Sequence, residues 1–277
     1  MLFAADGDKL EDRNGKHVEV EGIAMSLRRT KDLKAFTIAA TDADIGSVYD
    51  CYFDDETWTI RYIVVETGAI LSGPKVLISP LALRRPALRA LHIWVNLTWK
   101  QVADSPSFDL HKPVSRQHEI NYHDHYGWPY YWENDGVWGS LSHPHDLARA
   151  TPAIPATRKK KNSDDTNLRS TREVDGYHVM ALDGQIGHVE DFLFDDESWQ
   201  IRYAIVDTRN WWPGKRVLVR PQWIKRVSWR NRKIYLNMSR ENIKKSPQWD
   251  PSQPVSRKYE LRLHKYYDSP PYWTAEK

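Results

Sequence analysis

Histidines and carboxylates are the residues of this 277-residue sequence that could do chemistry, and each type gathers in its own place. His111, His118, His123 and His125, with Asp124 between the last two and His143 and His145 downstream, form its one concentration of transition-metal ligands. On an extended strand His123 and His125 would project from one face and could share a metal ion, which makes them the candidate metal ligands. The carboxylates gather as Asp54-Asp55-Glu56 and again as Asp195-Asp196-Glu197, with Asp50 and Arg61 flanking the first group and Asp191 and Arg202 the second. A hard cation such as Ca²⁺ or Mg²⁺ needs about six or more oxygens in a shaped loop, and neither acidic run has the glycine such a loop uses, so both read as turns. The sequence contains no phosphate-binding Gly-rich loop, zincin helix or nucleophile elbow, so neither catalysis nor a cofactor is expected. Cys51 is the sole cysteine, which rules out an intramolecular disulfide and a multi-thiolate metal site and fits a reducing compartment.

The twin acidic runs belong to a long internal repeat. Ile45-Gly46 returns as Ile186-Gly187, Phe53-Asp54-Asp55-Glu56 with Trp58 as Phe194-Asp195-Asp196-Glu197 with Trp199, Ile60-Arg61-Tyr62 as Ile201-Arg202-Tyr203, and Pro113-Val114-Ser115-Arg116 as Pro254-Val255-Ser256-Arg257. The offset stays at 141 without a gap, and about 35 of roughly 88 aligned positions from Ile45 to Trp132 are identical. This period is far longer than the 20–50 residues of a solenoid unit, so each copy should close its own core. The organisation expected is an extension over 1–26, a first copy over 27–135, a linker over 136–167 with the basic run Arg158-Lys159-Lys160-Lys161, and a second copy over 168–277. Within the extension, 18–23 suits a short strand.

Strand signals dominate each copy. The runs 46–53 and 58–67 are rich in Val, Ile and aromatic residues and are joined by the polar loop 54–57, which predicts a hairpin. If Phe53 and Trp58 close it, Asp50 faces Arg61 and Asp191 faces Arg202 as cross-strand ion pairs, each contributing about 0.2–1 kcal/mol. Further strands are expected over 76–78 and 91–97, and over 217–219 and 233–237. One short helix per copy should follow Thr98 or Ser239 as N-cap and stop before Pro106 or Pro247. Short strands with little helix predict an all-β fold in which each copy is a small β-barrel or sandwich, closed so that few edges stay exposed and wrapped by an irregular aromatic tail, 113–132 or 254–273. Many aromatic residues recur in register and belong to the core. The unmatched Trp128, Trp138, Trp211 and Trp212 remain as surface candidates, the last two as an interface pair.

In order and spacing Leu168-Arg169-Ser170-Thr171, Gly176-Tyr177, Asp183-Gly184-Gln185-Ile186-Gly187, Asp191, Phe194-Asp195-Asp196, Trp199, Arg202-Tyr203 and Val217-Leu218-Val219 resemble the PRC-barrel family. The first copy is looser, with Ala35-Phe36 and Asp42-Ala43-Asp44 in place of Gly176-Tyr177 and Asp183-Gly184-Gln185. The family includes the cytoplasmic domain of the photosynthetic reaction-centre H subunit and the C-terminal domain of a ribosome maturation factor. The resemblance implies a non-enzymatic binding or assembly module. It also implies two alternatives, a role supporting photosynthetic electron transfer and an RNA or ribosome-linked role.

Composition narrows the partner little. Forty Lys and Arg against 37 Asp and Glu leave a net charge of +3, too small for electrostatics to dominate binding overall. No run approaches the roughly 18–20 apolar residues of a membrane span, and Met1-Leu2-Phe3-Ala4-Ala5-Asp6 is too quickly acidic for a signal peptide, so a cytoplasmic location is expected. The anticipated partner is a protein of unknown identity, with RNA through Arg158–Lys161 as a weaker option and the two copies packed as an intramolecular pseudo-dimer.

Overall fold

The structure, a computed structural model, describes residues 9–11, 17–19, 27–68, 75–89, 91–110, 114–134, 136–150, 167–208 and 214–274. A short hairpin of β1 (Lys9–Glu11) and β2 (His17–Glu19) comes first. The first copy contains β3 (Leu27–Arg29), β4 (Thr37–Ala39), β5 (Asp44–Asp54), β6 (Thr59–Thr67), β7 (Lys75–Ile78), β8 (Leu83–Arg89), β9 (His92–Val95), α1 (Trp99–Ala103) and α2 (Arg116–Tyr126), and α3 (Pro144–Arg149) follows it. The second copy contains β10 (Leu168–Ser170), α4 (Thr171–Val174), β11 (His178–Ala181), β12 (Gly184–Asp195), β13 (Ile201–Asp207), β14 (Arg216–Val219), β15 (Ile224–Ser228), β16 (Lys233–Leu236), α5 (Arg240–Lys245) and α6 (Arg257–Tyr266).

These strands form two mixed seven-stranded sheets of the same order, β7-β6-β5-β4-β9-β8 and β14-β13-β12-β11-β16-β15. The β4–β9 and β11–β16 ladders are parallel and the others antiparallel. The seventh strand of each sheet comes from the other copy. β3 pairs with β12, and β10 pairs with β5. In place of the closed ladder expected from strand spacing, each sheet is an open path among the described residues. A 3₁₀ turn beginning at Pro80 or Pro221 carries the chain from one end of the path to the other, and proline has no N–H with which to extend a ladder.

Two bulges set the register of the central hairpin. β5 meets β6 as Val48↔Val65 and then Asp50↔Val64, so Tyr49 is the extra residue, and a second irregularity lies between Tyr52 and Phe53. β12 has the same bulge between Val189 and Asp191. The expected pairing of Asp50 with Arg61 and of Asp191 with Arg202 is therefore corrected: the bulges displace the arginines from those aspartates. Gly46 and Gly187 fix the far end of each hairpin, since a Cβ there would lie 2.0 Å from the carbonyl oxygen of Glu66 or Asp207.

Each sheet is covered on both faces, which explains why β6 reads as a nearly continuous apolar run. Ile60, Ile63 and Val65 point into a central core that runs through both copies, where Phe53 and Phe192 approach to 5.5 Å between ring centroids. Tyr62 and Val64 point outward beneath α2, and Tyr203 and Ile205 sit correspondingly beneath α6. The tails expected to be irregular thus contain helices of 11 and 10 residues, N-capped by Ser115 and Ser256. Their buried faces are polar and aromatic, Glu119-Tyr122-His123 and Glu260-Leu263-His264, so the apolar period that announces a helix is missing from the first and reduced to one leucine in the second. Part of the expected linker is also ordered. Trp138 is fully buried in the shared core rather than on a surface, and its indole N–H donates to the Ser198 carbonyl of the second copy at 2.6 Å. Trp128 is half-buried and stacks on Tyr126 at 4.3 Å. No helix among the described residues is long and apolar enough to cross a membrane.

Candidate functional site

The bulge in each long strand turns an aspartate toward the strand received from the other copy. Asp50 accepts hydrogen bonds from the Ser170 hydroxyl (2.6 Å), the Thr171 hydroxyl (2.9 Å) and the Arg172 N–H (3.2 Å). Asp191 accepts from the Thr30 hydroxyl at 2.6 Å and the Lys31 N–H at 3.3 Å. Both carboxyls are buried, and desolvation raises their pKa values while these hydrogen bonds oppose it. Thr30, Thr171 and Cys51 also line a cavity of about 10 Å³ between the two aspartates, room for no more than one water. Burial pushes the Cys51 thiol well above its ordinary value, which leaves it a small apolar filler.

The acidic loops dock the same exchanged strands. Asp54 Oδ1 accepts the N–H groups of Glu56 (2.8 Å) and Thr57 (3.2 Å), as Asp195 does those of Glu197 (2.9 Å) and Ser198 (3.4 Å), so the first carboxylate of each run builds the turn. The second reaches across the seam: Asp55 pairs with Arg169 at 2.9 Å and Asp196 with Arg28 at 2.7 Å. Arg61 contacts Asp54 at 3.4 Å, donates to the Thr57 hydroxyl (3.0 Å) and to the Val137 carbonyl, and lies 3.9 Å over the Tyr131 ring. Arg202 pairs with Asp195 at 3.0 Å and lies 4.2 Å over the Tyr272 ring.

A third cluster fastens each tail helix to the outer face of its sheet. Glu119, wholly buried on α2, accepts from the Tyr62 hydroxyl (3.0 Å), the Tyr131 hydroxyl (2.6 Å) and the Arg116 guanidinium (2.6 Å). His123 completes it, with Nε2 3.2 Å from the Tyr62 hydroxyl and Nδ1 2.9 Å from the Pro129 carbonyl. Glu260 on α6 repeats the arrangement with Tyr203, Tyr272 and Arg257, each at 3.0 Å, and His264 Nε2 lies 3.2 Å from the Tyr203 hydroxyl. Burial raises the pKa of Glu119 to about 7 and lowers that of His123 to about 4. It moves Glu260 and His264 in the same directions.

The proposed metal pair is corrected by the helix. His123 and His125 lie two residues apart on α2, where successive side chains turn by about 100°. They consequently point apart. His123 enters the buried cluster, whereas His125 is exposed, with Nε2 3.0 Å from the Gln101 carbonyl. Among the described residues no three His, Cys, Asp or Glu side chains are grouped to hold a metal ion. His111, the basic run Arg158–Lys161 and the pair Trp211-Trp212 lie outside the described residues.

Sequence reasoning missed Thr30, Thr171, Glu119, Glu260, Tyr131 and Tyr272 as members of buried clusters. Their signal was recurrence at the repeat offset, since the threonines follow a repeated Leu-Arg and the glutamates and tyrosines return identically 141 residues on.

An open mixed sheet built around a long bulged hairpin, completed by a strand from a second such unit and covered by a polar-faced helix, defines a small all-β domain that associates in pairs. Residues 167–243 match the family model of the PRC-barrel domain, so this segment of the chain is a PRC-barrel domain. The first copy has the same strand order element for element, consistent with a tandem arrangement. A comparison with curated proteins gives no match.

Proposed function

We propose that the chain is a cytoplasmic binding or assembly module without catalytic activity, in which two PRC-type folds act as one covalent pseudo-dimer. One observation carries this reading: the buried tail clusters are built in duplicate, Glu119 and Glu260 each accepting from two tyrosines and an arginine, and His123 and His264 each placing Nε2 3.2 Å from a tyrosine hydroxyl. A reacting group tuned for one chemistry would break such symmetry, whereas groups that hold a scaffold recur with it. The PRC-barrel match of the second copy supports the same reading. Crosslinking of the full chain in its source cell, followed by mass spectrometry and gel filtration, tests it. The chain should co-elute with a defined larger complex, and recovery with a photosynthetic reaction centre would favour the electron-transfer alternative. Elution alone at its own mass of 32.5 kDa would overturn the assembly role.

A further inference from the structure

The net charge of +3 conceals a strong segregation of charge. From Thr208 to Arg240 the sequence contains no Asp or Glu, and within it the β15–β16 hairpin carries Lys225, Arg226, Arg230, Arg232 and Lys233. Lys225, Arg226, Arg230 and Arg232 are exposed and Lys233 half-buried, and none of the five forms an ion pair with a described residue. The fold explains why they face outward. Val227 pairs with Ile234 on the core side of the hairpin, so Arg226 with Tyr235 and Ser228 with Lys233 occupy the opposite side, while Lys225 is the extra residue of a bulge and Arg230 and Arg232 lie in the turn. Four of the cations therefore follow the edge strand β15 and its turn, a line of roughly 15–20 Å at about 3.3 Å per residue, and Lys233 joins them from the first position of β16.

We propose that this hairpin binds the phosphate backbone of a nucleic-acid strand without reading its bases. A line of cations suits a linear polyanion better than a point ligand, and three of the five are arginines, whose planar guanidinium donates to phosphate in pairs. Aromatic rings are interleaved, with Arg226 lying 3.7 Å over the Tyr235 ring. A membrane surface fits less well, because Trp229, the apolar residue of the turn, folds inward: it packs 6.1 Å from Tyr177 and beneath Arg169 at 4.7 Å, leaving no aromatic residue to insert. Glu173, the carboxylate beside Tyr177, accepts the Tyr177 hydroxyl at 3.0 Å. Cations also recur at three matched positions of the first copy, Arg84, Arg85 and Arg89, in a stretch from Thr67 to Ala103 that again lacks Asp and Glu.

The proposal rests on the binding-module reading and narrows it. Fluorescence anisotropy of the full chain with labelled mixed-sequence RNA and duplex DNA, titrated against salt, tests it. Binding should weaken with log salt at a slope of about −3.5 for single strands if all five cations meet phosphates. The variant with Lys225, Arg226, Arg230, Arg232 and Lys233 replaced by Gln should lose at least tenfold in affinity and most of that slope while keeping its circular dichroism spectrum. Replacement of the exposed Lys258, Arg262 and Lys265 of α6 by Gln should change neither. Unaltered binding by the hairpin variant, loss of binding only when Arg158–Lys161 are neutralised, or preference for phosphatidylserine vesicles or polyglutamate over both nucleic acids would each overturn the proposal. A protein partner retained by the hairpin variant would leave the assembly role standing.

Discussion

Thr59 forms an antiparallel bridge with Gln200, the residue that occupies its own position in the other copy. A residue that meets its repeat counterpart lies on a twofold axis, and the flanking bonds obey it, with the Ile60 N–H donating to the Trp199 carbonyl at 2.8 Å and the Ile201 N–H to the Trp58 carbonyl at 2.7 Å. Trp58 and Trp199 both adopt left-handed backbone, φ 54° and 61°, a conformation costly for a bulky side chain but one that aims each carbonyl across the axis.

The exchanged strands should depend on the aspartates that receive them. Replacing Asp50 with Ala leaves the hydroxyls of Ser170 and Thr171 and the N–H groups of Cys51 and Arg172 without their acceptor, and each such loss costs about 1–3 kcal/mol. Thr30→Val, which removes one hydroxyl from Asp191, should cost about 1 kcal/mol. Urea denaturation of the full chain measures both, and equal midpoints for wild type and Asp50→Ala would contradict the arrangement.

The tail clusters predict a pH dependence with a definite sign. The folded-state pKa of Glu119, about 7, lies above its ordinary 4.5, so its contribution is full below about 4.5 and lost as pH rises through 7. His123, lowered from 6.5 to about 4, contributes fully above 6.5 and loses that contribution as pH falls through 4. The two windows overlap with opposite slopes, so Glu119→Gln should remove the fall that offsets the histidine's gain, and the variant's stability should climb more steeply with pH between about 4 and 6.5 than that of the wild type. An unchanged profile would show that Glu119 is not desolvated.

Trp138 joins the segment after the first copy to a carbonyl of the second. Trp138→Ala should destabilise by about 3–5 kcal/mol, as expected for a large buried ring. Trp138→Phe keeps most of the volume but orphans the Ser198 carbonyl, which should cost about 1–3 kcal/mol. Similar losses in the two variants would mean that the hydrogen bond, rather than the filled volume, matters.

Cut from its partner, the second copy lacks the strand that pairs with β12. Its own β10 carries the same Leu-Arg motif and Thr171 in the place of Thr30. Residues 167–274 expressed alone should therefore form a homodimer by exchanging β10, and sedimentation equilibrium would show it. A folded monomer would indicate that strand exchange is dispensable.

The sequence revealed the repeat, the all-β class, the acidic turns and the short capped helices, because each has a local or periodic signature. Thr98 and Ser239 cap their helices as their spacing suggested. The register of Asp50 was not legible, since one bulged residue moves every later partner and bulges carry no fixed residue signature. Nor were α2 and α6, whose buried faces use glutamate, tyrosine and histidine where a leucine stripe would have been readable. The seam was half visible: the recurrence of Asp50 and Arg61 as Asp191 and Arg202 showed that these positions matter to the fold, but only the three-dimensional exchange shows that the aspartates serve the neighbouring copy.

That exchange also sets a clock for the nascent chain. Arg28 and its ladder partner Phe194 are 166 positions apart. At synthesis rates of roughly 5–20 residues per second, β3 emerges on the order of ten to thirty seconds before the strand that will receive it. During that interval the first copy stands on the ribosome with β3 unreceived and β5 short of its neighbour, so a chaperone, or the β10 of another nascent chain on the same message, has time to reach the vacant edge first.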